Sequence, residues 1–244
     1  MTDHERIEAA ALGSSTHAIG GRAELVGGAL CAQHPQLPIP EVNRALPVEP
    51  RVDLDAVHAW YGGRPHVVVA PPDHPELVEA LPRVGYEPAR AWMAFELGDV
   101  PAEVPPATEL RVEETQDADA FALTLSEGYG IPADAQGLFR PLVGLPGWRW
   151  FLAWSGDEPA GCGALCVEGR LAWLGMAATR PSHRREGAQT ALLNARIDAA
   201  RALGADELYT ETGAADAEGP GPSYRNILRA GFRESYLRPN WRST

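Results

Sequence analysis

The fold of this chain is decided by the stretch Thr179-Arg-Pro-Ser-His-Arg-Arg-Glu-Gly-Ala-Gln-Thr-Ala-Leu-Leu193. It follows a predicted strand at 171–178 and passes through an arginine- and glycine-containing loop into a predicted helix. This layout directs backbone N–H groups, the positive end of a helix dipole and an arginine at one point, which suits a pyrophosphate. A side chain at Gly187 would keep a phosphate away from the backbone, so the glycine has a physical role.

Within this stretch, Arg184-x-x-Gly187-x-Gln189 resembles the (Arg/Gln)-x-x-Gly-x-(Gly/Ala) loop of GCN5-related N-acetyltransferases (GNAT), which holds coenzyme A. The strand before it and the helix with Leu192 and Leu193 after it are similar to those of that family. The family has a small residue where this chain has Gln189, and the larger side chain leaves less room for a phosphate to approach one of the backbone N–H groups. The alternative for so short a motif is an ordinary turn entering a surface helix.

The composition is that of a globular protein of one large or two small domains, with 244 residues of which 45% are hydrophobic. It has no apolar run long enough to span a membrane, and its N-terminus lacks the pattern of a secretory signal. We therefore expect a cytoplasmic protein without a membrane partner. The net charge of −12 argues against a nucleic-acid partner. It mildly favours cationic substrates, with solubility as the simpler explanation.

The sequence shows no pattern of lysine, cysteine or histidine that is typical of covalent catalysis or of a metal site. All 21 basic residues are arginine, which excludes Schiff-base chemistry on a lysine. Cys162 and Cys166 lie four residues apart in a predicted strand and face the same side, as packed small hydrophobic residues would. The seven histidines and three cysteines lack the spacing of zinc ligands. We expect no metal cofactor.

The proline-rich segment 99–108 is a predicted linker, which divides the chain into an N-terminal domain at 1–98 and a C-terminal domain at 109–244. In the C-terminal part, the patterns predict strands at 110–112, 150–154, 160–167, 171–178, 206–212 and 232–237, with helices from 115, at 187–203 and at 223–230. This order is similar to the GNAT fold. The resemblance implies an α/β (α+β) architecture with a mixed central sheet flanked by helices.

The N-terminal part repeats half of that order. A predicted strand at 66–70, a helix at 76–82 and the turn Gly85-Tyr86 match the strand at 207–211, the helix at 223–230 and the turn Gly231-Phe232. No Arg-x-x-Gly-x-(Gly/Ala) loop precedes the first copy. We interpret 1–98 as a smaller, degenerate GNAT-like domain that shapes or covers the active site, with a coincidental strand-helix-strand order as the alternative.

The resemblance implies an enzyme with acetyl-CoA as co-substrate, which acetylates an amine by direct attack in a ternary complex. It also implies where the coenzyme lies. The expected contacts are on the strand, the loop with its helix start, and the later helix: Met176, Ala177 and Ala178; Arg184, Arg185, Glu186, Gly187, Ala188, Gln189 and Thr190; and Asn226.

The proton-transfer residues are candidates from three places in the chain. The strand 171–178 lacks the carboxylate that relatives often carry, so Glu211, in an apolar strand, and Glu127, beside an aromatic loop, are candidate bases, with ordered water as the alternative. Isoleucine stands at 227, where relatives often carry a tyrosine acid. Tyr224, one helical turn earlier, is the candidate acid. A packing role, or departure of the thiolate without an acid, stays open.

Tyr129, Trp148 and Trp150 are predicted to line the acceptor side, where their rings would stack on a ring or a cation. For Trp150 a core position is the alternative. We expect the acceptor to be the primary amine of a small molecule. A catalytically inactive CoA-binding sensor or scaffold, and a protein or peptide N-acetyltransferase, are the alternatives. The sequence does not determine the length of the acyl group or whether the protein is a monomer or a homodimer.

Overall fold

The computed structural model describes residues 1–39, 42–97 and 110–243, so the predicted linker lies outside the described residues. The helices are α1 (Asp3–Ala18), α2 (Leu54–Tyr61), α3 (Pro75–Ala80), α4 (Ala118–Tyr129), α5 (Ala188–Ala202) and α6 (Pro222–Arg229). The strands are β1 (Arg22–Val26), β2 (Ala29–Gln33), β3 (Arg44–Pro47), β4 (Val67–Val69), β5 (Tyr86–Leu97), β6 (Arg111–Glu114), β7 (Trp148–Ser155), β8 (Glu158–Glu168), β9 (Leu171–Thr179), β10 (Glu207–Gly213) and β11 (Arg233–Ser243). None of the helices in these ranges is long and apolar enough to cross a membrane.

The described strands form one mixed sheet in the order β1-β2-β3-β4-β11-β5-β10-β9-β8-β7-β6. Neighbouring strands are antiparallel except β3 with β4 and β9 with β10, which are parallel. The predicted α/β class with a mixed central sheet is confirmed. The C-terminal elements lie where the sequence predicts them, with ends that differ by a few residues, except that β11 continues to Ser243 where the sequence predicts an end at 237.

The sequence of elements helix-strand-strand-strand-helix-strand-helix-strand occurs twice among the described residues, from α1 to β5 and from α4 to β11. The last strand of each copy lies in the other copy's part of the sheet. β5 pairs with β10, and β11 pairs with β4. The two copies therefore share one sheet by reciprocal exchange of a strand. The division at 98–109 and the degenerate character of the first copy stay predictions.

The core also joins the two copies, because helix α1 packs on the sheet of the second copy. Ile7 and Ala11 of α1 share a buried cluster with Phe121 of α4 and with Trp150 and Cys162 of the sheet. On the opposite side of the sheet, α5 and α6 pack in a second cluster. Helix α1 was not predicted, although Thr2 and Glu5 form a capping box at its start.

Candidate active site

A cleft opens in the sheet where β9 and β10 separate. The two strands pair only over Leu171–Trp173 and Glu207–Tyr209. Beyond that point β9 continues along β8, and β10 continues along β5. The hydroxyl of Thr210 donates to the carbonyl of Leu174 at 2.7 Å, which joins the strands at the apex of the cleft. The divergence exposes backbone and side chains of both strands to the same space.

A β-bulge on β9 lies beside this apex. Gly175 pairs with Ala164 and Ala178 pairs with Cys162, which leaves Met176 and Ala177 opposite a single residue of β8. Met176 has a φ of 48°, a conformation uncommon for a residue with a side chain. Bulges release backbone groups from the ladder and redirect side chains, and they are frequent next to active sites. The bulge therefore presents the backbone of Met176 and Ala177 to the cleft.

Arg196 of α5 holds this bulge from behind. Its side chain is buried and donates to the carbonyls of Leu192, Ala164 and Gly175 at 3.0, 3.2 and 3.2 Å. Burial lowers the pKa of Arg196 to about 10. A Cβ at Gly163 would lie 2.9 Å from the guanidinium carbon, so the glycine leaves room for it. The guanidinium thus ties α5 to both strands at the bulge.

A cavity of about 630 Å³ extends from the cleft into the space between the two copies. Its second-copy wall comes from α4, β9, β10, α5 and α6, and its first-copy wall comes from α1, β3, β4 and β5. Most of the lining is apolar. The charged residues among its lining are Arg44, Arg90, Arg196 and Glu211.

Glu211 lies on β10 just past the last residue that pairs with β9, and its side chain is 8% exposed. One carboxylate oxygen, Oε2, accepts from the indole Nε1–H of Trp173 at 2.8 Å and lies 3.2 Å from Nε2 of His4. The other oxygen, Oε1, has no hydrogen-bond partner among the described residues. Glu211 lines the cavity, so it offers one fixed oxygen and one available oxygen.

A buried charge network continues from this carboxylate into the first copy. His4 stacks on Tyr209 with ring centroids 5.2 Å apart, and its Nε2 lies 3.9 Å from Glu8. Glu8 in turn contacts Arg238 at 2.6 Å and Arg44 at 2.9 Å. His4, Glu8 and Glu211 place one ligand atom each within 4.8 Å of one another. Two guanidiniums already neutralise the charge of Glu8, so they would repel a metal cation at this cluster. The expectation that the protein has no metal cofactor stays a prediction.

The loop before α5 leaves the start of that helix open. Arg184, Arg185 and Glu186 are exposed, and Gly187 is the N-cap with a φ of 88°. No side chain caps this end, and its first turn carries no acidic residue. The first N–H groups of an α-helix have no partner within the helix, so this end suits an anion. The corresponding helix of the first copy, α2, is closed by Asp53, whose side chain accepts from the N–H of Ala56.

Gln189, which replaces the family's small residue, connects α5 to α6. Its side-chain amide donates to Ser223 at 2.7 Å and accepts from Asn226 at 2.9 Å. Gln189 lines the cavity. Asn226 also accepts from Arg229 at 3.1 Å, so both ends of its amide are engaged within the protein. A pantetheine contact by Asn226 stays a prediction that needs one of these bonds to open.

Two of the predicted proton-transfer residues lie away from the cavity lining. The hydroxyl of Tyr224 donates to Glu234 at 2.6 Å, and burial with this contact raises the pKa of Tyr224 to about 12. Glu127 accepts from Arg180 at 2.7 Å. Neither Tyr224 nor Glu127 is part of the lining, whereas Glu211 is. The geometry therefore favours Glu211 among the three candidates.

Of the three aromatic residues predicted to contact the substrate, one lines the cavity and two do not. Tyr129 lines the cavity and is 47% exposed. Trp148 and Trp150 stack on each other with centroids 5.0 Å apart in the buried core, and neither is part of the lining. Trp150 therefore takes the core position that the sequence left as an alternative. Substrate contact by Trp148 and Trp150 stays a prediction without support from this packing.

Sequence reasoning missed the residues that the first copy contributes, above all His4, Arg44 and Trp92. Arg44 and Trp92 line the cavity, and His4 contacts the carboxylate that does. The spacing of His4 and Glu8, one helical turn apart in a helix with a capping box, was the available signal. No pattern within the sequence connects these residues to Glu211.

Residues 116–218 match the model of the acetyltransferase (GNAT) family. The structure is similar to that of a GCN5-related N-acetyltransferase from Kribbella flavida, with a TM-score of 0.68 and 16% identity over 100% of this chain and 96% of that chain. It is also similar to a GCN5-related N-acetyltransferase from Sphaerobacter thermophilus, with a TM-score of 0.64 and 16% identity over 78% of this chain and 66% of that chain. A GNAT-family structure from Novosphingobium aromaticivorans gives a TM-score of 0.55 at 16% identity, over 88% and 87% of the two chains. No curated protein matches the chain. The family model and the fold agree with the resemblance seen in the sequence.

Proposed function

We propose that the chain acetylates the primary amine of a small molecule, on the premise that residues 116–218 match the acetyltransferase (GNAT) family, which transfers acyl groups from acetyl-CoA. The observation that carries the proposal is the cavity between the two copies, with the Glu211 carboxylate in its wall. Because α1, β3 and β4 cover the acceptor side, the space suits a small molecule better than a peptide, which would need an open groove. A homodimer stays a prediction.

The coenzyme site of the proposal is the open end of α5. Its uncapped N–H groups and the arginines at 184 and 185 suit a pyrophosphate, whereas the Asp53 cap closes the equivalent end of α2. From there the bulge at Met176 and Ala177 offers backbone groups to the pantetheine arm and the thioester. Bound acetyl-CoA supplies the activated acetyl group. The chain therefore holds one coenzyme, on the second copy.

Proton removal falls to Glu211 in this proposal. The acceptor arrives as an ammonium ion, and Oε1 of Glu211 takes one of its protons while Trp173 and His4 hold Oε2. The neutral amine attacks the acetyl carbonyl carbon, the carbon–sulfur bond breaks with its electron pair leaving on the thiolate, and the nitrogen loses its second proton to water. Because the Tyr224 hydroxyl donates to Glu234 away from the lining, we assign the protonation of the sulfur to solvent rather than to that tyrosine.

The proposal is tested by thiol release from acetyl-CoA with a panel of primary amines, and by mass spectrometry of the products. With an accepted amine, Glu211→Gln lowers kcat by about 10²–10⁴, the usual contribution of a general base, and leaves acetyl-CoA binding unchanged. Glu218→Gln, on an exposed loop, is the matched control and keeps full activity. Acetyl-CoA binding without thiol release for any amine would favour the inactive sensor. Acetylated peptides without small-molecule products would favour the peptide enzyme.

A further inference from the structure

Arg44 is a buried guanidinium without a hydrogen bond. Its side chain is 5% exposed, and its Nε and Nη1 are buried atoms that find no hydrogen-bond partner. Nη1 lies 2.9 Å from Glu8 in an ion pair, and the guanidinium carbon lies 5.1 Å from the ring centroid of Trp92. Nη2 has no partner among the described residues either. Buried charges in proteins are normally paired and hydrogen-bonded, so this side chain has unused donors.

The charge around Arg44 is also incompletely balanced. Glu8 is its only carboxylate, and Glu8 accepts its hydrogen bond from Arg238 instead. The two guanidiniums lower the pKa of Glu8 to about 2, so this carboxylate is ionised and already shared between two cations. Two guanidiniums thus meet one carboxylate here, and Glu211, the other carboxylate of the network, acts on Arg238 rather than contacting Arg44. A ligand anion would give Arg44 a carboxylate that it does not share.

The other cations of the lining do not share this deficit. Arg196 donates to three backbone carbonyls. Arg90 is 64% exposed at the cavity mouth, where it donates to the carbonyl of Ala214 and approaches Asp216 at 3.9 Å. Arg44 is therefore the lining cation that a buried anion would satisfy.

Arg44 and Glu211 lie at opposite ends of the chain of contacts Arg44–Glu8–His4–Glu211, and both line the cavity. The first-copy wall near Arg44 is apolar, with Leu12, Ile19, Ile39, Val42, Val67 and Val69. Glu211 can therefore bind an ammonium group, Arg44 can bind an anionic group, and the apolar wall can contact the hydrocarbon frame that joins the two groups. A ligand with these three features is a zwitterion.

We propose that the acceptor is a primary amine that also carries a carboxylate on an apolar frame, with its ammonium group at Glu211 and its carboxylate at Arg44. The inference deepens the proposed function and rests on it for the acetyl-transfer step. Arg44 then acts in acceptor binding and selectivity. It does not move a proton.

The test compares each amino acid with its primary amide, which keeps the frame and the amine but removes the negative charge. Leucine, phenylalanine and 6-aminohexanoate, each paired with its amide, vary the apolar frame and the spacing of the charges. Thiol release gives kcat/KM for each pair. At the best spacing we expect the acid to exceed its amide by about tenfold or more, the scale of a charge-assisted hydrogen bond. Equal values, or amides that react faster at every spacing, would overturn the proposal.

The variant Arg44→Met keeps the length of the side chain and removes its charge. It should abolish the preference for the acid, because kcat/KM for the acid falls about tenfold or more beyond any loss for the amide. Arg242→Met removes an exposed arginine of β11 that pairs with Glu87, and it should leave the preference intact. Equal losses for acid and amide in Arg44→Met would contradict a role in anion recognition. If Arg44→Met does not fold, the wild-type comparison of acid with amide still decides.

Calorimetry in the presence of coenzyme A separates this inference from the proposed function. If no pair releases thiol but the acid binds and its amide does not, the anion site stands and the acetyl-transfer assignment fails. If acid and amide bind equally, or neither binds, the anion site is wrong. If amides are acetylated and Arg44→Met changes neither the rate for the acid nor the rate for the amide, the acetyltransferase proposal holds and the anion site is wrong.

Discussion

One oxygen of Glu211 is held by two side chains from different copies, Trp173 at 2.8 Å and His4 at 3.2 Å. In the tautomer that carries its proton on Nε2, His4 donates to Oε2, and Oε1 is left to receive the proton of the acceptor. The ring of Trp173 is directed to this point by Gly175, where a Cβ would lie 1.8 Å from a ring carbon. His4 is thus a positioning residue, which acts through Glu211 without touching the acceptor.

Removing that contact should slow catalysis without affecting the coenzyme. His4→Leu is expected to lower kcat about tenfold or more and to change the pH profile of kcat, because the base Glu211 loses a side chain that holds its Oε2, while acetyl-CoA affinity by calorimetry stays unchanged. The titratable groups in contact with His4 are Glu8, Glu211, Tyr209 and Tyr236. His4→Gln keeps an N–H donor and should recover part of the loss. His17→Leu on the same helix, whose ring accepts from the N–H of Ala23, is the control. Full kcat in His4→Leu would contradict the positioning role.

At the scale of elements, helix α5 is built asymmetrically. Gly187 and Gly204 flank its two ends with nearly equal φ values of 88° and 86°, yet only the N-terminal end lies beside the arginine loop. The helix dipole is positive at the N-terminal end and negative at the C-terminal end. An anion should therefore bind at Gly187 and not at Gly204.

This asymmetry gives a matched pair of substitutions. Gly187→Asp adds a side chain and a negative charge where we place the pyrophosphate, so acetyl-CoA affinity should fall by at least about a hundredfold. Gly204→Asp introduces the same residue at a comparable φ and should leave affinity within about threefold. Isothermal calorimetry should give one site per chain in the wild-type protein. Two equivalent sites, or equal effects of both substitutions, would contradict the assignment.

Elements that are specified locally were predictable, and their placement in the sheet was not. Helix α5 could be predicted because apolar periodicity and Gly204 define it within the segment. The turns at Gly85 and Gly231, both with a φ of 89°, revealed the repeated order. The insertion of β5 between β10 and β11 depends on pairing between distant segments, which periodicity does not specify. For the same reason Glu211 was a candidate from its context, whereas Arg44 and His4 were not.

At the scale of the whole molecule, one buried carboxylate connects three elements of the two copies. Glu8 of α1 contacts Arg44 of β3 and Arg238 of β11, and its side chain is fully buried. The exchanged strand β11 therefore meets the first copy through charge as well as through backbone pairing with β4. The cavity, which needs walls from both copies, depends on this junction.

Glu8 should consequently contribute to stability in a pH-dependent way. Glu8→Gln leaves two buried guanidiniums without their carboxylate, which typically costs about 3–5 kcal/mol. Because the folded pKa of Glu8, about 2, lies below its ordinary value of 4.5, its contribution is complete above about pH 4.5 and is lost as the pH falls towards 2. Urea unfolding at pH 7 and at pH 3 should therefore show a smaller loss on acidification for Glu8→Gln than for the wild-type protein. Glu79→Gln, an exposed position on α3, serves as the control and should follow the wild type at both pH values. A Glu8→Gln protein as stable as the wild type at pH 7 would show that the network does not hold the two copies together.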